Sequence, residues 1–195
     1  MDEFMKKNGL EYVVGFSGGS DKEKEEVERV VNDSMLYFSK RPIAVLTGGT
    51  KWGIPKIASE IAKDYGMKTI GVMPERGEKY KLSSLDYEMI VPPKYAGSEY
   101  GDESEVFVKM CDAIEMIGGN NGTGVEFFHA MKINERRMKE EQSPIYIVPV
   151  SGISGFADKI PRLPFLNGAS EALPMDPIYE GGDAAKYIMN KLDMI

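Results

Sequence analysis

Between Ile117 and Phe127 the sequence runs Ile-Gly-Gly-Asn-Asn-Gly-Thr-Gly-Val-Glu-Phe, a glycine turn that leaves an apolar run and enters a helical one. Glycines let the chain turn sharply and let a bulky anion approach the backbone. The first amides of a helix have no intrahelical acceptor and can be offered to that anion. Gly118, Gly119, Asn120, Asn121, Gly122 and Thr123 are therefore candidate phosphate-binding residues, with Thr123 adding a hydroxyl donor. Glu126 lies one helical turn further on, near whatever the phosphate is attached to. The implied ligand is a nucleotide or a sugar phosphate. Thr123-Gly-Val-Glu126 also reads as a capping box, in which both side chains only satisfy amides at the helix start. Three glycines beside a strand end favour the anion.

Two more glycine turns follow apolar runs, and they set the architecture. Tyr12 to Ser17 ends in Gly18-Gly19-Ser20, after which Val27, Val30, Val31, Met35 and Phe38 recur at helical spacing. Ile43 to Thr47 ends in Gly48-Gly49-Thr50, followed by the apolar stripe Ile54, Ile57, Ala58, Ile61, Ala62 and Tyr65. Each turn serves equally well as a ligand contact or as a tight connection capped by Ser20 or Thr50. Strands are expected at 68–73 and 89–91, each stopped by proline, and at 113–117 and 144–150. Helices are expected at 104–111 and from about 123 to 141, with 74–101 mostly loop. Apolar strands without strict alternation, separated by amphipathic helices, predict a doubly wound, Rossmann-like α/β sandwich around a mainly parallel sheet. Ligands bind such sheets at the carboxyl ends of the strands, where all three glycine turns fall. The core is expected over about residues 10–150, then an irregular Gly- and Pro-rich segment at 151–182 and a helix at 183–193, all within one domain of residues 1–195.

Composition narrows the function. With 24 Lys and Arg against 31 Asp and Glu, the net charge of −7 argues against a nucleic-acid wrapper, whose work needs excess cation. A loop of amides needs no such excess to hold one small anion. Cys111 is the only cysteine and His129 the only histidine, so disulfide frameworks and multi-histidine metal sites are excluded. No metal and no resident cofactor are expected. Nothing resembles a leader peptide or a membrane span, which makes a cytoplasmic protein with no membrane partner the expectation. His129 reads as a packing or surface residue and Cys111 as an inert buried thiol. Lys51, Arg76 and Lys79 read as solvated charges. Trp52, beside the second glycine turn, suits a base-stacking role and a helix-anchoring role equally.

Spacing argues against two common phosphate binders. Gly15-Phe-Ser-Gly-Gly-Ser20 is not Gly-x-Gly-x-x-Gly, and the second strand ends in Thr47-Gly48 rather than an acid, which speaks against dinucleotides. Gly48-Gly-Thr-Lys-Trp-Gly53 is followed by Ile54-Pro55 where a nucleoside-triphosphatase loop needs Lys-Ser or Lys-Thr. What does match is Gly48-Gly-Thr-Lys-Trp-Gly-Ile-Pro55, then Gly71-Val-Met-Pro74, then Gly118 to Glu126. In that order the segments resemble the Lonely-guy family of cytokinin-activating phosphoribohydrolases within the SLOG superfamily, whose members are often labelled lysine decarboxylases.

The resemblance implies a nucleoside 5′-monophosphate with its phosphate on Gly118, Gly119, Gly122 and Thr123, and Glu126 assisting cleavage of the N-glycosidic bond. It also implies a homo-oligomer. Catalytic members carry an arginine in the preceding helix, and that place falls near Glu103. An acid there favours nucleotide binding without hydrolysis, with phosphoribohydrolase activity as the alternative. No lysine stands in a cofactor-linking context, so pyridoxal-phosphate decarboxylation has no support.

Overall fold

The computed structural model describes residues 1–19, 25–98, 100–163 and 170–194, so Ser20, one of the expected turn residues, lies outside the described residues. The apolar runs become six strands, β1 (Tyr12–Gly18), β2 (Ile43–Thr47), β3 (Lys68–Pro74), β4 (Tyr87–Val91), β5 (Ala113–Ile117) and β6 (Tyr146–Val150). Between and beside them run α1 (Asp2–Lys7), α2 (Glu25–Phe38), α3 (Gly53–Asp64), α4 (Asp102–Met110), α5 (Asn121–Lys139) and α6 (Gly181–Lys191). The strands form one sheet in the order β4-β3-β2-β1-β5-β6, with every neighbouring pair parallel. This is the expected Rossmann-like α/β fold, parallel throughout.

Both sheet faces are covered, which is why the strands read as continuous apolar runs. On one face Val14, Phe16, Ile43, Val45, Ala113, Ile117 and Val148 meet α2, α3 and α6. On the other, Val13, Leu46, Ile70, Val72, Ile114, Met116 and Ile147 meet α4 and α5. Phe16, Phe38, Phe107 and Phe127 are among the largest fully buried side chains. Each such burial contributes roughly 1.5–3 kcal/mol. Asn134, buried on α5, staples that helix to the start of β6: its amide nitrogen donates to the Ile145 carbonyl, and its oxygen accepts from the Ile145 N–H, both at 2.8 Å.

The chain departs from the sequence expectation in three places. α1 was not foreseen, because six residues are too few to show a helical period. It is held by tertiary contact, with the Phe4 ring 5.2 Å from that of Tyr87. The expected loop at 74–101 contains a 3-10 helix, Glu75–Tyr80, and the irregular segment at 151–182 contains two more, Ala157–Arg162 and Ser170–Ala172. Such short segments, of one or two turns, carry no amphipathic stripe to read.

The topology fixes where a ligand can enter. From β1 the chain steps outward through β2, β3 and β4, then returns to the other side of β1 as β5 and continues to β6. The strand order reverses between β1 and β5, and the loops leaving those two strands diverge there.

Candidate functional site

At the end of β5, buried Ile117 leads into Gly118 and Gly119, whose φ angles of 60° and 80° put both in the left-handed region. Glycine is required at 119 for a second reason, since a Cβ there would lie 2.0 Å from Thr123 Oγ1. The loop thus folds tightly back on the first turn of α5. Across it lies the segment after β6. The Phe156 and Ala157 amides donate to the Gly119 and Gly118 carbonyls at 2.8 and 2.9 Å, and a Cβ on Gly155 would come within 2.6 Å of the Gly119 oxygen. Asp158 holds that segment by accepting from the Gly152 and Ser154 amides at 2.6 and 2.8 Å.

With the loop carbonyls occupied, the donors at the helix start remain. The capping box does not form: the α5 N-cap is Asn120, which makes no side-chain capping bond. Among the described residues, the N–H groups of Asn121, Gly122 and Thr123 donate to no backbone carbonyl. Thr123 Oγ1 is buried with no hydrogen-bond partner. Buried hydroxyls are seldom left unsatisfied, so this one is a donor in want of an acceptor. Gly118, Gly119 and Asn120 line a cavity of about 120 Å³ with Gly19, Gly53, Ile54, Ile153 and Ser154. That space suits one oxyanion and is well below the roughly 300 Å³ at which sites for whole organic ligands begin.

The structure brings the first glycine turn to this cavity but not the second. Gly19 lines it, and the Ile54 amide donates to the Gly19 carbonyl at 3.1 Å. Gly18 is a packing residue, since a Cβ would meet Ile54 Cγ1 at 2.4 Å and the Ile117 oxygen at 2.6 Å. Gly48, Gly49 and Thr50 are not in the cavity lining. Gly49 faces Met73 and Gly71, and Thr50 bridges to Lys81. From that part of the chain it is Gly53 and Ile54, at the start of α3, that reach the cavity.

Glu126 points to the neighbouring strand instead of its own helix start. The buried Ser17 hydroxyl, at the end of β1, donates to Glu126 Oε2. Burial pushes the Glu126 carboxyl up to about 7; the Ser17 hydrogen bond opposes this and the Glu103 charge adds to it. Glu103, where the family arginine was expected, is thus electrostatically in touch with Glu126. Glu103 Oε2 also accepts from the Gly101 amide at 2.7 Å, and its side chain joins Glu75, Arg76, Ser98 and Asp102 around a second hollow of about 220 Å³. A carboxyl poised near neutrality can give or take a proton at pH 7, the property required of a general acid or base.

A family model for the SLOG cluster4 family matches residues 11–139. The chain belongs to the SLOG cluster4 family. Its matched segment includes both halves of the site, from Ser17 at the end of β1 to Glu126 in α5. Solved structures with the same fold include TM1055, a structural-genomics target 20% identical with a TM-score of 0.69 over 91% of this chain and 97% of that one. A molybdenum cofactor binding protein from the phototrophic bacterium Rippkaea orientalis is 16% identical, with a TM-score of 0.67 over 94% and 98%. The molybdenum cofactor carrier protein of Chlamydomonas reinhardtii gives 16% and 0.67 over 94% and 99%. At such identities the likeness is one of fold. No curated protein is a significant sequence relative.

Other residues of this SLOG chain fall into place around the site. Among the described residues no group of three or more His, Cys, Asp or Glu side chains could hold a metal ion. His129 borders a surface hollow with Asn121, Val125, Phe128 and Phe156; Asn121 lines this hollow and not the cavity. Cys111 is buried, its thiol donating to the Phe107 carbonyl at 3.2 Å and pushed well above the usual thiol range, chiefly by burial. No helix among the described residues is long and apolar enough to cross a membrane. The sequence reading missed Ser17 and the crossing segment at 152–157. Ser17 had left a trace, as a hydroxyl closing an apolar run, the position that Thr47 holds in β2.

Proposed function

We propose that this SLOG protein binds a nucleoside monophosphate or a related nucleotide derivative, with the phosphate on the Gly118 to Thr123 loop and the sugar toward Glu126. The observation that carries the reading is the buried, unpartnered Thr123 hydroxyl beside three amides that, among the described residues, donate to no backbone carbonyl at the start of a long helix. A helix N-terminus concentrates partial positive charge, and a phosphate there would satisfy all these donors together. Membership of the family and the resemblance of Gly118 to Glu126 to the Lonely-guy loop support the same ligand class. The fold relatives named for binding or carrying the molybdenum cofactor support a binding role and place that cofactor in the ligand panel. Cytoplasmic residence and homo-oligomerisation belong to this reading, the second checked by light scattering.

Phosphoribohydrolase activity is the second reading, favoured by the Glu126 carboxyl held near neutrality against Ser17. A carboxylate beside the anomeric carbon can stabilise an oxocarbenium-like transition state or activate water. One experiment addresses both. Nucleoside monophosphates, cyclic nucleotides, ADP-ribose derivatives, ribose 5-phosphate and the molybdenum cofactor are screened by thermal shift against wild type and Thr123→Val, with free base measured in parallel. Phosphate compounds are expected to raise the melting temperature of wild type, and Thr123→Val to weaken binding about tenfold. No shift with any of them, or an unchanged Thr123→Val, would remove the phosphate reading. Base release that disappears in Glu126→Gln would select the hydrolase.

A further inference from the structure

Trp52 is the only tryptophan in the chain, and 43% of its surface is exposed. It does not anchor α3 to the sheet. Its ring lies against Tyr80, with centroids 5.0 Å apart and planes inclined at 49°. Lys51 Nζ stands 5.3 Å from the Trp52 ring centre and 6.0 Å from that of Tyr80, while Lys79 Nζ is 4.8 Å from the Tyr80 ring. Two aromatic rings and two ammonium groups thus share one surface platform, built from the loops that leave β2 and β3.

The platform is braced. The Lys51 amide donates to the Tyr80 carbonyl at 3.0 Å, the Leu82 amide donates to the Gly49 carbonyl at 2.8 Å, and Thr50 bridges antiparallel to Lys81. Gly49 and Gly71 allow these loops to meet, since a Cβ on Gly49 would lie 2.3 Å from Met73 Cε and 3.1 Å from the Gly71 Cα. An exposed indole held rigidly beside cations is how proteins stack flat, electron-rich rings, because every heteroaromatic base offers a π face.

The platform and the phosphate cavity lie along the same edge of the sheet, at the C-terminal ends of its strands. The phosphate loop leaves β5 and Trp52 follows β2, with β1 between them. The strands β2 and β5 themselves are two strand spacings, about 10 Å, apart, comparable to the span between the phosphate and the base of a mononucleotide. Gly53 and Ile54, next to Trp52 in the chain, line the cavity together with Gly118 and Gly119.

We propose that Trp52 and Tyr80, flanked by Lys51 and Lys79, form the subsite for the heteroaromatic base of the ligand whose phosphate sits at the start of α5. The proposal rests on the phosphate reading above and adds the class of group at the other end. The hollow around Phe128, which Asn121 at the start of α5 also lines, is the competing aromatic surface; it shares no lining residue with the cavity.

The test titrates AMP, GMP and ribose 5-phosphate into wild type, Trp52→Ala, Trp52→Phe and Phe128→Ala, read by calorimetry and, where Trp52 is present, by its fluorescence. The two nucleotides are expected to quench Trp52 emission and ribose 5-phosphate to leave it unchanged. Trp52→Ala is expected to bind the nucleotides about tenfold more weakly with ribose 5-phosphate affinity retained, while Trp52→Phe, which keeps a stacking ring, and Phe128→Ala stay near wild type. Retained ribose 5-phosphate affinity also shows that Trp52→Ala is folded. Unchanged nucleotide affinity in Trp52→Ala, a loss confined to Phe128→Ala, or binding of ribose 5-phosphate without the nucleotides would overturn the base subsite and leave the phosphate site standing. Failure of every phosphate compound to bind wild type would overturn both.

Discussion

At the scale of single residues, the behaviour of Glu126 is set by burial and two neighbours, and their effects differ in sign. Burial and the negative charge of Glu103 disfavour the carboxylate, whereas the Ser17 hydroxyl stabilises it, and the balance is a carboxyl near 7. Replacing Glu103 by Gln removes a like charge and should move the Glu126 titration to lower pH. Replacing Ser17 by Ala removes a donor to the anion and should move it higher. Carbon-detected NMR of labelled glutamate reads all three, and a wild-type midpoint at the ordinary glutamate position near 4.5 would contradict the environment described. Should the protein prove to be a hydrolase, the same displacements should appear in its pH–rate profile. Beyond Glu126 itself and the acid at Glu103, none of this was legible from the sequence. Ser17 and Glu126 are 109 positions apart, and only the pairing of β1 with β5 brings them together. The glycines at 118 and 119 were legible because the conformation they permit is a local property, visible as a cluster wherever it occurs.

At the scale of elements, the clearest dependence is the approach of α6 to α2. Gly181 opens α6 at a point where a Cβ would stand 1.9 Å from the Val30 carbonyl oxygen and 2.6 Å from Ser34 Oγ. The first of these is backbone and cannot swing aside, so Gly181→Ala has to push the helices apart. The expected cost is about 1–3 kcal/mol, read as a lower urea midpoint with an unchanged slope. Gly182→Ala is the control, because its Cβ would meet only the Tyr37 ring, at 3.0 Å, and a side chain can yield. Equal effects of the two substitutions would deny that this contact sets the helix spacing. The elements themselves were largely legible, since β2 and β5 are apolar runs with turn residues at their C-terminal ends and α2 and α3 carry a one-sided stripe. The segment after β6 was not. Residues 152–157 have no period, and their place over the phosphate loop comes from two backbone hydrogen bonds that any sequence with the right turns could make.

At the scale of the whole molecule, the stability of the fold is tied to pH through an acid at its centre. Glu115 occupies the middle of β5, a fully buried carboxyl among apolar neighbours, with one oxygen 2.8 Å from Ser34 Oγ and the other without a partner. Ser34 Oγ also lies 3.2 Å from the Val30 carbonyl, and it has a single hydrogen for two acceptors. A protonated Glu115 resolves the conflict by donating to Ser34, which then donates to Val30. Burial, opposed only by the Ser34 hydrogen bond, accordingly lifts this carboxyl from 4.5 to about 8. Between those two values the folded chain holds a proton that the unfolded chain has released, so stability falls as pH rises through that window and levels off above it. Glu126 acts in the same direction, between 4.5 and about 7. The melting temperature should therefore drop steadily from pH 5 to pH 8 at constant ionic strength. Glu115→Gln, which keeps the shape and cannot ionise, should remove most of that slope and melt roughly 5 °C or more above wild type at pH 8, with a smaller difference at pH 5. Parallel melting curves for the two proteins across the whole range would mean that Glu115 is already charged in the native state and that its oxygens are solvated in a way this core does not allow.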